Sequence, residues 1–151
     1  MTEPLTTQKI LDYAISLEQR AVDLYTDMAS RAKNSATKKV FLEYAEEEMG
    51  HRKKLEDVVE GDQSIGEDEI VADLKISDYS VDVTLGENPT YQDILLFAMS
   101  QEKQAFRLYT DLAARVPEPE FKELFSALAQ EEAKHKLRFE VEYDDHVLTE
   151  N

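Results

Sequence analysis

Apolar residues recur at every third or fourth position through four long stretches of the chain, with acids, lysines and glutamines filling the positions between. A period near 3.6 residues marks amphipathic helices, here near residues 7–32, 35–59, 90–115 and 119–143. Glycine and proline fall mostly at the joints. The third helix opens at "NPTYQD", where Thr90 can cap the first turn and Asp93 can answer it three residues later. The prolines of "VPEPE" end that helix at Val116 and suit the first turn of the fourth.

The joints within each helix pair are short, so each pair forms an antiparallel hairpin. Between the pairs runs a segment from Gly61 to Asn88 with eight acids and one lysine, long enough to follow the full length of a bundle. The expected architecture is therefore all-α: one domain over 1–151, with helix pairs 7–59 and 90–143 joined by a long crossover at 60–89. Within the crossover "DEIVADL" is expected to form a short helix. The tail 144–151 has no strong periodicity and is expected to drape on the bundle or fray.

Sliding the chain on itself by 84 positions lays "ISLEQRAVDLYTDMASR", beginning at Ile15, over "MSQEKQAFRLYTDLAAR", beginning at Met99; nine of 17 positions are identical. The same shift pairs Phe41 with Phe125, Ala45 with Ala129, Glu48 with Glu132 and His51 with His135. Shared helix composition does not give that register, so the two hairpins are copies of one design, related most simply by a pseudo-two-fold axis.

Composition narrows the chemistry. The 33 acids against 17 Lys plus Arg leave a net charge of −16, which repels nucleic acid and anionic membranes and favours cations. No apolar run approaches the roughly 18–20 residues that span a bilayer, and the N-terminus has no apolar signal core. A soluble intracellular protein is the expected setting. With no cysteine in the chain, thiolate metal sites, disulfides and cysteine nucleophiles are excluded, so any metal must be held by oxygen and nitrogen.

Such donors are concentrated in the repeat. Glu-x-x-His occurs at Glu48/His51 and Glu132/His135, and residues three apart on a helix lie about 60° apart, so each pair can converge on one point. Each first helix offers a matching acid on or beside its apolar stripe, Glu18 or Glu102. Four carboxylates on core faces need positive charge to stay ionised. Two metal ions supply it, and one Glu from each of two helices plus one Glu-x-x-His from each of the others is the donor set of di-iron and di-manganese bundles. Iron or manganese suits these oxygen-rich donors, with zinc as a further occupant. Symmetry suggests terminal roles for Glu18 and Glu102, bridging roles for Glu48 and Glu132, and one histidine capping each ion. The competing reading is a solvated surface ladder of Glu, Lys and His.

Tyr25 and Tyr109 follow Glu18 and Glu102 by seven residues on nearly the same face, where their hydroxyls can support metal-bound carboxylates or serve only as core aromatics. Glu47 and Glu131 are turned about 100° from the ligand acids, toward solvent, helix contacts or a metal entry route. Glu46 is matched by Gln130 and reads as surface; His146, beside Asp144 and Asp145, reads as a surface histidine beyond the fourth helix. Gly50, inside a helix and matched by Lys134, suggests close packing.

With "LEQRAVDLY", "FLEYAEEEMGH", "ADLKISDYSVDV", "SQEKQAFRLY" and "ELFSALAQEEAKH" in view, the chain resembles the rubrerythrin-like branch of the ferritin-like superfamily over nearly its whole length. The resemblance implies a ferritin-like four-helix bundle with a non-haem di-iron site that reacts with peroxide or dioxygen, in a cytoplasmic homodimer. It maps the family's ligands onto Glu18, Glu48, His51, Glu102, Glu132 and His135. Full-length relatives relay electrons through a small four-cysteine iron domain; with no cysteine here, the reductant is expected to be an external donor protein. Ala105, matched by Ala21, stands where the family usually carries a further Glu, which implies a more symmetric six-ligand centre.

Three functions follow as expectations: a di-iron oxidoreductase that reduces peroxide or dioxygen, a ferroxidase that oxidises Fe(II) for an iron store, or a metal-stabilised helical interaction protein without catalysis.

Overall fold

The computed structural model describes residues 6–61, 71, 74–79 and 84–150. Helices α1 (Thr7–Arg31), α2 (Ser35–Glu60), α3 (Tyr91–Arg115) and α4 (Pro119–Glu150) carry nearly all of them, with a 3₁₀ turn at Ile76–Tyr79 and no strand among the described residues. The all-α four-helix arrangement expected from the periodicity is the one observed.

Local chemistry sets the helix starts. Asn34 accepts from the Thr37 N–H at 2.8 Å, and Thr90 and Asp93 form the reciprocal capping box. Pro119 sits at the first position of α4, where its missing N–H leaves no bond unmade. At the other end α4 continues to Glu150, so the tail expected after residue 143 is helix instead. Nothing from Asp144 to Glu150 is glycine or proline, and two contacts hold this part of the helix to the start of α3. The Gln92 amide donates to the Tyr143 hydroxyl at 3.0 Å, and the Tyr91 ring meets His146 edge-on at 5.2 Å. His146 thus lies on α4 and is half-buried, where a surface position beyond the fourth helix is expected from the sequence.

α1 packs along α2, α3 along α4, and α1 against α3. Buried apolar residues form two clusters. One joins Ile10, Leu11 and Ala14 of α1 to Leu55, Tyr109, Leu112, Phe125 and Ala129; the other joins Ile94, Leu95 and Ala98 of α3 to Phe139, Tyr25, Met28, Phe41 and Ala45. A shift of 84 residues converts the first set into the second, residue by residue, which is the pseudo-two-fold axis expressed as packing. Each fully buried phenylalanine of these clusters contributes about 1.5–3 kcal/mol.

The described part of the crossover closes the first cluster. Val71, Leu74 and Tyr79 are buried there, the Tyr79 hydroxyl donates to Asp111 Oδ2 at 2.6 Å, and the Tyr13 hydroxyl donates to the Tyr79 carbonyl at 3.2 Å. Of the expected helix in "DEIVADL", all but Val71 and Leu74 lie outside the described residues.

Candidate metal centre

Between the two apolar clusters lies a polar layer. Glu18, Glu48, Glu102, Glu132 and His135 are each 1% exposed and His51 is 6% exposed. Burying so many ionisable groups in one layer costs several kcal/mol per unpaired charge, so the layer must neutralise itself. Each helix contributes: α1 Glu18, α3 Glu102, α2 Glu48 and His51, α4 Glu132 and His135.

The structure brings all six residues together. Glu18, Glu48, His51 and Glu132 form one group and Glu102, Glu132, His135 and Glu48 another, with donor atoms in each within 4.8 Å of one another. Glu48 and Glu132 belong to both. His51 Nδ1 lies 3.1 Å from Glu132 Oε1 and 3.7 Å from Glu18 Oε2, while His135 Nδ1 lies 2.7 Å from Glu48 Oε1 and 3.9 Å from Glu102 Oε1. The two imidazoles are nearly parallel, 17° apart, with centroids separated by 6.5 Å.

The donor set fits a pair of cations. Glu18 Oε2, Glu48 Oε1, Glu102 Oε2 and His135 Nδ1 are buried without a hydrogen-bond partner, although neighbouring donors and acceptors are close. Four carboxylates balance two divalent ions, and each group offers carboxylate oxygens plus one imidazole nitrogen.

Electrostatics without metal tells the same story through protons. Burial raises Glu48 and Glu132 well above the carboxylate range, and the charges of neighbouring carboxylates push them further. Burial lifts Glu102 to about 8. Burial opposes protonation of the histidines, yet hydrogen bonds to Glu132, Glu18 and Glu48 carry His51 to about 12, and Glu48 carries His135 to about 9. Burial also raises Glu18, but hydrogen bonds from Glu48, His51 and Tyr109 outweigh it and leave that acid lowered. The metal-free layer therefore holds protons that cations displace.

Supporting contacts break the symmetry. The Tyr109 hydroxyl donates to Glu18 Oε1 at 2.5 Å, reaching from one hairpin to the other, whereas the buried Tyr25 hydroxyl has no partner. Glu47, read from spacing as facing solvent, helix contacts or an entry route, lies 2.6 Å from His135 Nε2. Once a cation displaces the proton between Nδ1 and Glu48, an N–H donated from Nε2 to Glu47 would leave Nδ1 as the lone-pair nitrogen facing Glu48 and Glu102, the orienting contact that metal-bound histidines commonly have. Tyr44 stacks on the same imidazole at 4.0 Å. Its repeat mate is Leu128, and Glu131 pairs with Lys134 at 3.5 Å, so His51 lacks both contacts. The repeat singled out Glu47, but the spacing of one helix does not tell which residue of the opposite hairpin it meets. Gly50 is exposed and a Cβ there meets nothing within 4 Å, so close packing is not the reason for it, and nothing in the structure explains it.

Beside the carboxylates is a cavity of about 10 Å³, narrowed by Leu17 and Gln101 and opened by the small side chains of Ala21 and Ala105. It has room for about one water-sized molecule.

A four-helix bundle with two facing helices each giving a Glu and two each giving Glu-x-x-His defines the carboxylate-bridged di-metal class. Comparison with known proteins agrees: the rubrerythrin family model matches residues 9–143, and the chain belongs to the rubrerythrin family. A solved structure of a hypothetical protein from Pyrococcus furiosus is similar, with a TM-score of 0.66 and 26% identity over 89% of this chain and 86% of that one. No curated protein matches the chain significantly. No helix among the described residues is long and apolar enough to cross a membrane.

Proposed function

We propose that the chain is a non-haem di-iron oxidoreductase that reduces hydrogen peroxide or dioxygen with electrons from an external donor protein. The supporting observation is the pair of overlapping donor groups that share Glu48 and Glu132. Glu18 and His51 would hold one ion, Glu102 and His135 the other, and Glu48 and Glu132 would span both. When bound, iron supplies reversible one-electron chemistry at two adjacent centres.

The chain's own contribution is placement and charge control. The apolar clusters on either side exclude bulk water, which strengthens each electrostatic contact in the layer. Burial and then the charges of Glu18 and Glu132 raise the Tyr109 pKa well above its ordinary value, so its hydroxyl keeps its proton and keeps donating to Glu18. Glu47 holds His135 through Nε2 and fixes which nitrogen faces the carboxylates. Ala21 and Ala105 put small side chains in the wall of the narrow cavity among the four acids. Manganese suits the same donors; zinc binds them but brings no redox chemistry.

Anaerobic loading with Fe(II), followed by a pulse of peroxide or dioxygen, tests this reading. Repeated turnover that requires an external donor supports it. Turnover that requires fresh Fe(II) points instead to a ferroxidase, and bound iron that stays silent to both oxidants leaves a metal-stabilised scaffold. A homodimeric assembly belongs to this reading and is checked by size-exclusion chromatography.

A further inference from the structure

The two hairpins bury matching cores but show solvent different faces. On the outer side of α3 and α4, Leu96, Phe106, Leu137 and Val141 are exposed, Leu137 by 61%. Phe106, Leu137 and Ala133 line a groove of about 510 Å³ together with the cations Lys103, Arg107 and Lys136. On α1 and α2, 84 positions earlier, the mates of the four exposed apolar residues are Asp12, Val22, Lys53 and Asp57. That first face is closed on itself: Arg52 donates to Gln19 and to Glu56, and Lys53 pairs with Asp57 at 3.7 Å. The core beneath accepts either pattern, so the apolar stripe of the second hairpin answers to something outside the chain.

Charge along the stripe says what that is. α3 and α4 run antiparallel, with Gln92 beside Tyr143 near one end and Glu102 near His135 farther along. Asp144 follows Leu137 on nearly the same face of α4, about 10 Å toward the first end, while Lys103 and Arg107 lie past Glu102 toward the other. The stripe is thus apolar in the middle, acidic at one end and basic at the other. A foreign acidic partner would match the cations but not Asp144. A second copy matches both, through a two-fold axis in the plane of contact and perpendicular to the helices. That axis lays the basic end of each copy over the acidic end of the other and brings Val141 of one α4 over Ala133 of the other, a large side chain against a small one. Such an isologous contact closes after two copies, with an apolar centre and a charged rim.

We propose that the α3–α4 face is where two copies of this chain join, antiparallel and centred near Leu137. The inference takes the homodimer from the reading above and adds the face and the sense of the contact; it is independent of the chemistry at the metal layer.

The test is light scattering on the size-exclusion peak of the iron-loaded full chain. The parent should give twice 17.3 kDa and Leu137→Glu a single 17.3 kDa. Lys53→Glu, the same change at the repeat mate, leaves the dimer intact. Lys103→Glu and Asp144→Lys each raise the dimer dissociation constant about ten-fold or more by setting like charges against each other, and the two together restore it. All four positions are exposed, so far-UV circular dichroism and iron content stay at the parent's level in every variant. A dimer that survives Leu137→Glu, or that Lys53→Glu breaks, takes the contact off this face and overturns the proposal. A paired reversal that fails to restore the dimer overturns the antiparallel arrangement and the proposal with it. A monomeric parent removes the homodimer and this inference together, whereas a parent dimer unmoved by these variants removes this inference alone; neither result touches the response to oxidant, which is read separately.

Discussion

The Tyr109 hydroxyl donates to Glu18 Oε1 at 2.5 Å, a bond from α3 of the second hairpin to α1 of the first. Its repeat mate Tyr25 is fully buried, yet its hydroxyl makes no hydrogen bond. Two residues with one sequence signature therefore have different duties. Tyr109→Phe should weaken metal binding about 10- to 100-fold by freeing the Glu18 carboxylate, while Tyr25→Phe changes it little. Competition with a chelator of known affinity measures both, and equal losses would remove the distinction.

Glu47 holds His135 at Nε2, whereas Glu131 makes no such contact with His51. Glu47→Ala should reduce affinity at the ion shared with His135 by about ten-fold or more, and Glu131→Ala by much less. Isothermal titration with Mn(II) should then resolve a weakened second binding step in the Glu47 variant only. Two unchanged steps would show the contact to be incidental.

The pH dependence of the metal-free fold follows from its raised pKa values. Acids whose pKa is higher folded than unfolded bind extra protons in the native state, so Glu48, Glu102 and Glu132 destabilise it as pH climbs from their ordinary 4.5, through about 8 for Glu102. His135 contributes stability that is complete below its ordinary 6.5 and lost as pH rises through about 9. Glu18 acts the other way, but only at the acid end, where its lowered pKa is crossed. Denaturant midpoints of the chelated protein should fall between about pH 5 and 9, and the gain from metal should widen over the same range as protons cease to compete. A chelated protein that grows more stable across that interval would contradict the assignment.

Gly50 lies in the interior of α2 with open space where a Cβ would be. Gly50→Ala should stabilise the fold by about 0.5–1 kcal/mol through helix propensity alone, without altering metal content. A loss of stability on chemical denaturation would mean that the glycine serves a contact absent from this structure.

Much of this was legible in the sequence because the repeat compares each half with the other. Helix periodicity gave the four elements, and the capping box at Thr90 and Asp93 marked the start of α3. Duplicated Glu-x-x-His pointed to the six residues that the fold gathers, since residues three apart share a helix face whatever the tertiary arrangement. Contacts between hairpins were not legible, because spacing within a helix does not say which residue lies across from it. Glu47 on His135 and Tyr109 on Glu18 both belong to that kind. The end of α4 was missed for another reason. Its last turns have little apolar periodicity and are held by Tyr91 and Gln92 from a helix some fifty residues earlier.

The central claim is that one buried layer binds two cations through two shared carboxylates. Its most direct measurement is the iron content of the anaerobically loaded protein beside its Glu48→Ala and Glu132→Ala variants. The account predicts about two ions per chain in the parent and loss of the pair in either variant, because each removes a ligand common to both positions. Two tightly bound ions retained in either variant would contradict it.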